Sequence, residues 1–238
     1  MPFLLQREWL FKKTDMFNKQ TDSNKPVGKN FKMRHLTKIL PLLIILLSFN
    51  SVLHAQDSHA FGVRAGYNDS GLNGNLNGIS ERNSRVSYSF AGFYRRALFG
   101  NFFLQPELAL HQKGSKEDVA LPGGRARFFT TFTYLDLPVL AGYTFSPENV
   151  SFSVISGFVT GYNLSAKLSD FNGEKEGIRE IVNKVNVAVT GGGELRFNMF
   201  NKRFALNARY ESGLRSVFNI PEIDFKMTTY TMTLGFEL

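Results

Sequence analysis

Nine charged residues share one phase of an alternating pattern: Arg64, Arg95, Glu107, Asp136, Glu194, Arg196, Arg209, Glu211 and Glu237. Four are cations and five are anions. Opposite charges set on one face of extended chain do the chemistry of ion pairing. In a narrow interior each must find a partner, because stranding one buried charge costs roughly 3–5 kcal/mol.

Other chemistries have little to work with. A hydrolytic triad needs a serine hydrogen-bonded to a histidine, with an acid on the far side of the imidazole. His54 belongs to the leader described below and His59 precedes the first extended segment, so His111 is the strand-borne histidine. It falls at the outer end of its segment beside Lys113, with Ser115, Glu117 and Asp118 in the connection that follows. A lone histidine in such a place is expected to be a solvated rim residue, and no catalytic residue is assigned. There is no Cys, so no thiolate metal site, iron–sulfur cluster, disulfide or cysteine nucleophile is available. No HExxH, Walker loop, dinucleotide fingerprint or EF-hand pattern occurs, so no metal or cofactor is expected. Gly191, Gly192 and Gly193 fall inside an extended segment, where they mark close packing or a bend and not a phosphate cradle.

The elements that carry these residues follow a period of two. Phe61, Val63, Ala65 and Tyr67 alternate with Gly62, Arg64, Gly66 and Asn68. The alternation recurs in seven further segments, the last running from Tyr230 through Leu234 to Leu238. Eight strands of about ten residues are predicted, the length that crosses a membrane as a tilted β-strand. No segment has a helical stripe. The connections at 98–101, 146–149 and 198–202 are tight. Those at 69–85, 112–127, 169–184 and 214–228 are long and rich in Gly, Asn and charge, and the stretch 178–182 reads as a short helical turn or a strand extension. This alternation of short and long connections fits an eight-stranded antiparallel up-and-down transmembrane β-barrel, with short turns on one side and long outer loops on the other.

One face of every strand is apolar and the other carries the charges. In a membrane barrel the apolar face meets lipid and the polar face fills the lumen. Tyr67, Tyr88, Tyr94, Tyr143, Tyr162, Tyr210 and Tyr230 share the apolar phase, mostly near strand ends, as expected of aromatics at a lipid–water interface. An eight-stranded barrel is just wide enough for side chains to fill it, so the charged set is read as a structural plug. A narrow polar conduit is the alternative use of the same residues.

Upstream, Arg34, His35 and Lys38 precede an apolar run from Ile39 to Leu47 and a Leu53-His54-Ala55 end, the layout of a secretory signal peptide over 33–55. Residues 1–32 are polar and basic, and translation is expected to begin at Met33. The formal charge is +8, and residues 1–55 hold nine Lys or Arg against three Asp or Glu. That leaves nineteen against seventeen in the domain at 56–238. The basicity therefore lies in the leader and gives no reason to expect a nucleic-acid partner.

Several segments are similar to those of the PorT-like outer-membrane β-barrel family of Gram-negative bacteria: GVRAGYN at 62–68, FAGFYRRALFGNFFLQPELALHQKGS at 90–115, TYLDLPVLAGYTF at 133–145, VISGFVTGYNLSAKLSD at 154–170, ARYESGL at 208–214 and TMTLGFEL at 231–238. The QPEL…QKG block followed by YLDLPVL is the most specific. The resemblance implies a barrel in the cell outer membrane, and little about activity, since a few members assist protein secretion and most have no assigned role. The expected partners are outer-membrane lipid and, through the long outer loops, envelope or secretion proteins. A rim-located lipid-modifying enzyme built on His111 is the rival expectation.

Overall fold

A computed structural model describes residues 59–74, 84–121, 124–145, 150–169, 175–220 and 224–238. The expected extension at 1–32, the signal peptide at 33–55 and the expected turn at 146–149 lie outside the described residues.

The alternating segments form strands β1 (His59–Gly74), β2 (Arg85–Ala97), β3 (Phe102–Leu121), β4 (Gly124–Phe145), β5 (Val150–Ser169), β6 (Lys175–Gly177), β7 (Val185–Met199), β8 (Lys202–Gly213) and β9 (Phe225–Glu237). Eight of them pair antiparallel in the order β4-β3-β2-β1-β9-β8-β7-β5, and a β4–β5 pairing closes the ring. The molecule is an eight-stranded up-and-down β-barrel. β6 is a three-residue flap on the upper end of β5, pairing Lys167 with Gly177 and Ser169 with Lys175.

Closure leaves no free sheet edge in the wall and satisfies the backbone from strand to strand. Pro106 and Pro138 sit inside β3 and β4. Across from Pro106 the β2–β3 ladder lapses between the Phe93–Glu107 and Arg96–Leu104 pairs. A proline has no N–H to donate there.

Strand lengths differ from the prediction. β3 and β4 hold 20 and 22 residues, about twice what was expected, and they remain paired from Gln112–Thr133 out to Leu121–Gly124. The stretch at 112–127 is therefore mostly a hairpin. Its polar, Gly-containing composition resembles a loop because, beyond an apolar band, neither strand face has to be apolar. β1 likewise continues to Gly74, and β9 begins at Phe225. The connection at 169–184 contains β6 and a 3-10 turn at Arg179–Ile181, so the stretch 178–182 takes the helical turn and the short strand lies just before it.

At the opposite end the turns are tight. β7 and β8 are joined through Phe200 and Asn201, both with positive φ (52° and 58°), between the paired Met199 and Lys202. That is the mirror-image two-residue turn whose twist matches the flanking strands. Gly100, with φ of 53°, serves the 98–101 turn.

Two faces result. The outer wall exposes Phe61, Val63, Phe90, Leu137, Phe152 and Leu234 among many others. The inner face of the lower barrel carries the charges beside a small apolar cluster of Phe103, Leu140 and Ile155, and the face becomes apolar at the outer end. There Leu72, Phe132, Tyr134, Ala166, Ile178, Val182, Val217 and Met227 form one buried cluster. The 3-10 segment and the 216–219 segment are tied across this cluster: Val182 bridges Phe218, and the Asn219 N–H donates to Ile181. The outer connections thus fold inward as a roof.

Candidate functional site

The inward residues are delivered by alternation on seven strands, and the barrel diameter brings them together. Arg64 on β1, Arg95 on β2, Glu107 on β3, Asp136 on β4, Glu194 on β7, and Arg209 and Glu211 on β8 are all at least nine-tenths buried. Glu237 on β9 is 8 % exposed, and the Arg196 side chain on β7 is 13 % exposed.

The lower group is centred on two glutamates. Glu107 accepts from both terminal nitrogens of Arg209 at 3.0 Å through one oxygen, and lies 3.3 Å from Arg64. Glu194 accepts from Arg95 at 2.5 Å and lies 3.5 Å from Arg64. Two neutral amides join them. Arg95 donates to Gln105 at 2.7 Å, and Gln105 donates to Glu107 at 2.6 Å. On the other side Arg209 donates to Asn207 at 2.7 Å, and Asn207 donates to Glu194 at 3.3 Å. Below this, Arg196 and Arg203 approach Glu237 at 3.5 Å each.

Aromatic rings supply the rest of the surroundings. Arg64 stands 4.4 Å over Phe93 and Arg95 stands 3.9 Å over Phe103, both cation–π distances. Gly142 leaves room for the Phe103 ring, which would lie 2.3 Å from a Cβ at that position.

A second group lies above, under the roof. Lys113, with no exposure at all, donates to Glu211 at 2.6 Å and lies 3.0 Å from Asp136. His111 Nδ1 meets the same Asp136 oxygen at 2.7 Å. Gly161 makes the space for this carboxylate: a Cβ there would sit 2.1 Å from Asp136 Oδ1. His111, Asp136 and Glu211 bring one ligand atom each within 4.8 Å of one another. Such a spacing suits a cation, and the Lys113 ammonium supplies that charge from the chain itself.

Two expectations are corrected here. His111 is not a solvated rim residue. It is 6 % exposed, because β3 continues ten residues past it and the roof covers it. Ser115, Glu117 and Asp118 are strand residues of β3, and Ser115 is buried. Lys113 belongs to the interior and was not counted there. The expected four cations against five anions left one acid over, and Lys113, two residues beyond His111 in the same inward phase, restores five against five.

The seven tyrosines divide by level. Tyr67 pairs with Tyr88 and Tyr210 with Tyr230 toward the outer end, where Tyr162 also stands, and all five are exposed on the wall. Tyr94 faces Phe61 and Tyr143 faces Phe102 toward the tight-turn end, and both are half-buried among phenylalanines. The eighth, Tyr134, points inward to the roof cluster.

A family model described as outer membrane protein beta-barrel domain matches residues 54–219. Among solved structures, the attachment invasion locus protein Ail of Yersinia pestis, crystallised with the heparin analogue sucrose octasulfate, is 22% identical, with 76% of this chain and 99% of that chain covered and a TM-score of 0.42. Neisserial surface protein A is 9% identical with the same coverages and a TM-score of 0.44. The N-terminal β-barrel domain of Pseudomonas aeruginosa OprF is 11% identical, with 77% and 100% covered and a TM-score of 0.32. No curated protein matches the chain. An eight-stranded barrel with an apolar wall and a polar interior, matched by that model over most of its length, belongs to the outer membrane protein beta-barrel domain family.

Proposed function

We propose that this outer-membrane barrel is a closed, non-catalytic protein of the PorT-like branch. In this reading a secretory signal peptide delivers it, and it serves as a structural or interaction component of the cell envelope, presenting its outer connections to envelope or secretion partners. The observation that carries this reading is the double closure of the lumen. An ion-paired layer centred on Glu107 and Glu194 fills the lower barrel, and the apolar roof of Ile178, Val182 and Val217 covers the upper. A solute path would have to break both. The wall tyrosines support a membrane-interface role, since an amphipathic ring buries its body while its hydroxyl stays wet. The PorT-like assignment rests on the QPEL…QKG and YLDLPVL blocks.

The test is direct. Refolded protein should show heat-modifiable migration and, in cells, fractionate with the outer membrane. In a planar bilayer it should show no stable conductance. A discrete, reproducible channel would favour the polar conduit.

One observation favours the enzymatic reading. His111 is hydrogen-bonded to Asp136, and Ser89 stands opposite His111 in the β2–β3 register with a buried, unpartnered hydroxyl. Against it, all three side chains are buried and Lys113 shares the Asp136 oxygen that would orient the imidazole. His111→Ala should leave lipid A and phospholipid profiles unchanged. A shift in either would establish the enzyme.

A further inference from the structure

The outer rim above β5 and β7 gathers cations that the lumen does not use. Lys167 on β5 is exposed, and its backbone partner is Gly177 of the flap. Arg179, on the 3-10 turn, donates to the Asn163 carbonyl at 3.0 Å and lies 5.9 Å over the Tyr162 ring. Lys184 reaches the same place, since its carbonyl accepts from the Asn163 N–H. Arg215 donates to Asn183, the residue next to Lys184. All four side chains are exposed, as is Lys175 on the flap, and the acids of this sector among the described residues are Glu176 and Glu180. Directly below them the outer wall is apolar, with Tyr162, Leu164, Val185, Tyr210 and Leu214 all exposed.

The arrangement is amphipathic in a specific way. Positive groups sit at one level, an apolar wall lies immediately beneath, and Arg179 is held at the boundary by a ring on one side and a carbonyl on the other. A soluble anion would need the upper half only. A neutral lipid would need the lower half only. We propose that this sector binds a phosphorylated lipid headgroup of the outer leaflet, with Arg179, Lys184, Arg215 and Lys167 contacting its phosphates and the wall below receiving its acyl chains. The inference rests on the membrane reading above and deepens it by naming the lipid class and the residues. Arg179 and Arg215 can each present a fork of N–H donors to phosphate oxygens, and Lys184 and Lys167 add point charges.

The experiment uses the full chain folded in dodecyl maltoside micelles, with bound lipid counted by native mass spectrometry. Three probes are compared: hexa-acyl diphosphoryl lipid A, the same lipid with both phosphates removed, and sodium pyrophosphate. The diphosphoryl lipid should bind at least about tenfold more tightly than the dephosphorylated one. The triple variant Arg179→Gln, Lys184→Gln, Arg215→Gln should lose that preference. Lys226→Gln should keep it, because Lys226 is an exposed rim cation already 3.8 Å from Asp224. Should the triple variant lose the folded band on a gel, the three single variants carry the test, each weakening the preference.

Equal binding of the dephosphorylated lipid would overturn the proposal, as would an unchanged preference in the variants. Pyrophosphate binding as tightly as the lipid would also overturn it and assign a soluble anion instead. Failure here with heat-modifiable migration intact leaves the membrane barrel standing. Failure of the wild type to fold in micelles counts against the barrel reading itself.

Discussion

Glu107 holds two arginines, Arg209 at 3.0 Å and Arg64 at 3.3 Å, and accepts from Gln105 as well. Glu107→Ala would leave Arg209 without its carboxylate and leave Arg64 with only Glu194 at 3.5 Å. Breaking a buried pair from one side costs about 3–5 kcal/mol, so the urea midpoint of the protein folded in vesicles should fall by a corresponding amount. Glu107→Gln keeps an acceptor and should fall less. Lys113 offers a sharper comparison, because it neutralises Asp136 and Glu211 together. Lys113→Met should be strongly destabilising alone and partly rescued by Glu211→Gln, which removes one of the two stranded anions. Additive losses in that cycle would show that the two groups are not coupled. Strand phase made most of this interior legible, because period-two alternation assigns a face without knowledge of the fold. His111 reads as strand-borne but solvated, because the roof that covers it comes from segments distant in sequence, and Lys113 is missed because it lies beyond Leu110, the last exposed apolar side chain described on β3. With no outward partners to mark the phase, a strand reads as a loop.

Hairpins and turns were legible where an apolar run stopped at a tight connection, as at 98–101 and 198–202. The roof was not. Ile178, Val182 and Val217 sit in short polar stretches with no periodicity, and their burial depends on two outer connections meeting through the Val182–Phe218 bridge. Only the closed ring brings those segments within reach of one another. This separation predicts that the roof and the barrel open independently. Val182→Asn places an amide in a site that is 3 % exposed, at the cost of burying polar atoms among Phe132, Tyr134 and Met227. Protease cleavage within 178–183 should rise sharply in that variant, while heat-modifiable migration and the urea midpoint of the barrel stay close to wild type. Bilayer conductance should remain absent, because the ion-paired layer below is untouched. If cleavage and global unfolding rise together, the roof is part of the barrel's cooperative unit and not a separate local one.

For the molecule as a whole, the apolar wall sets the membrane it fits. On β5 the exposed apolar side chains run from Val150 to Leu164, and the aromatic rings near the two ends of that run are Phe152 and Tyr162. The two rings are ten residue steps apart, or about 33 Å along the strand. With a tilt of roughly 40° the wall stands about 25 Å tall, the height of the apolar band of outer-membrane barrels. Folding yield, read as the fraction of heat-modifiable band, should therefore be greatest in vesicles whose hydrocarbon core is near 25 Å and should fall in thicker phosphatidylcholine bilayers, which the wall can match only by thinning them. The charge distribution makes the same measurement selective. Most of the formal +8 lies in residues 1–55, and the inward charges balance at five against five, so raising salt should change this thickness dependence little. A yield that instead followed salt and ignored thickness would mean that exposed charge, and not the apolar wall, governs insertion.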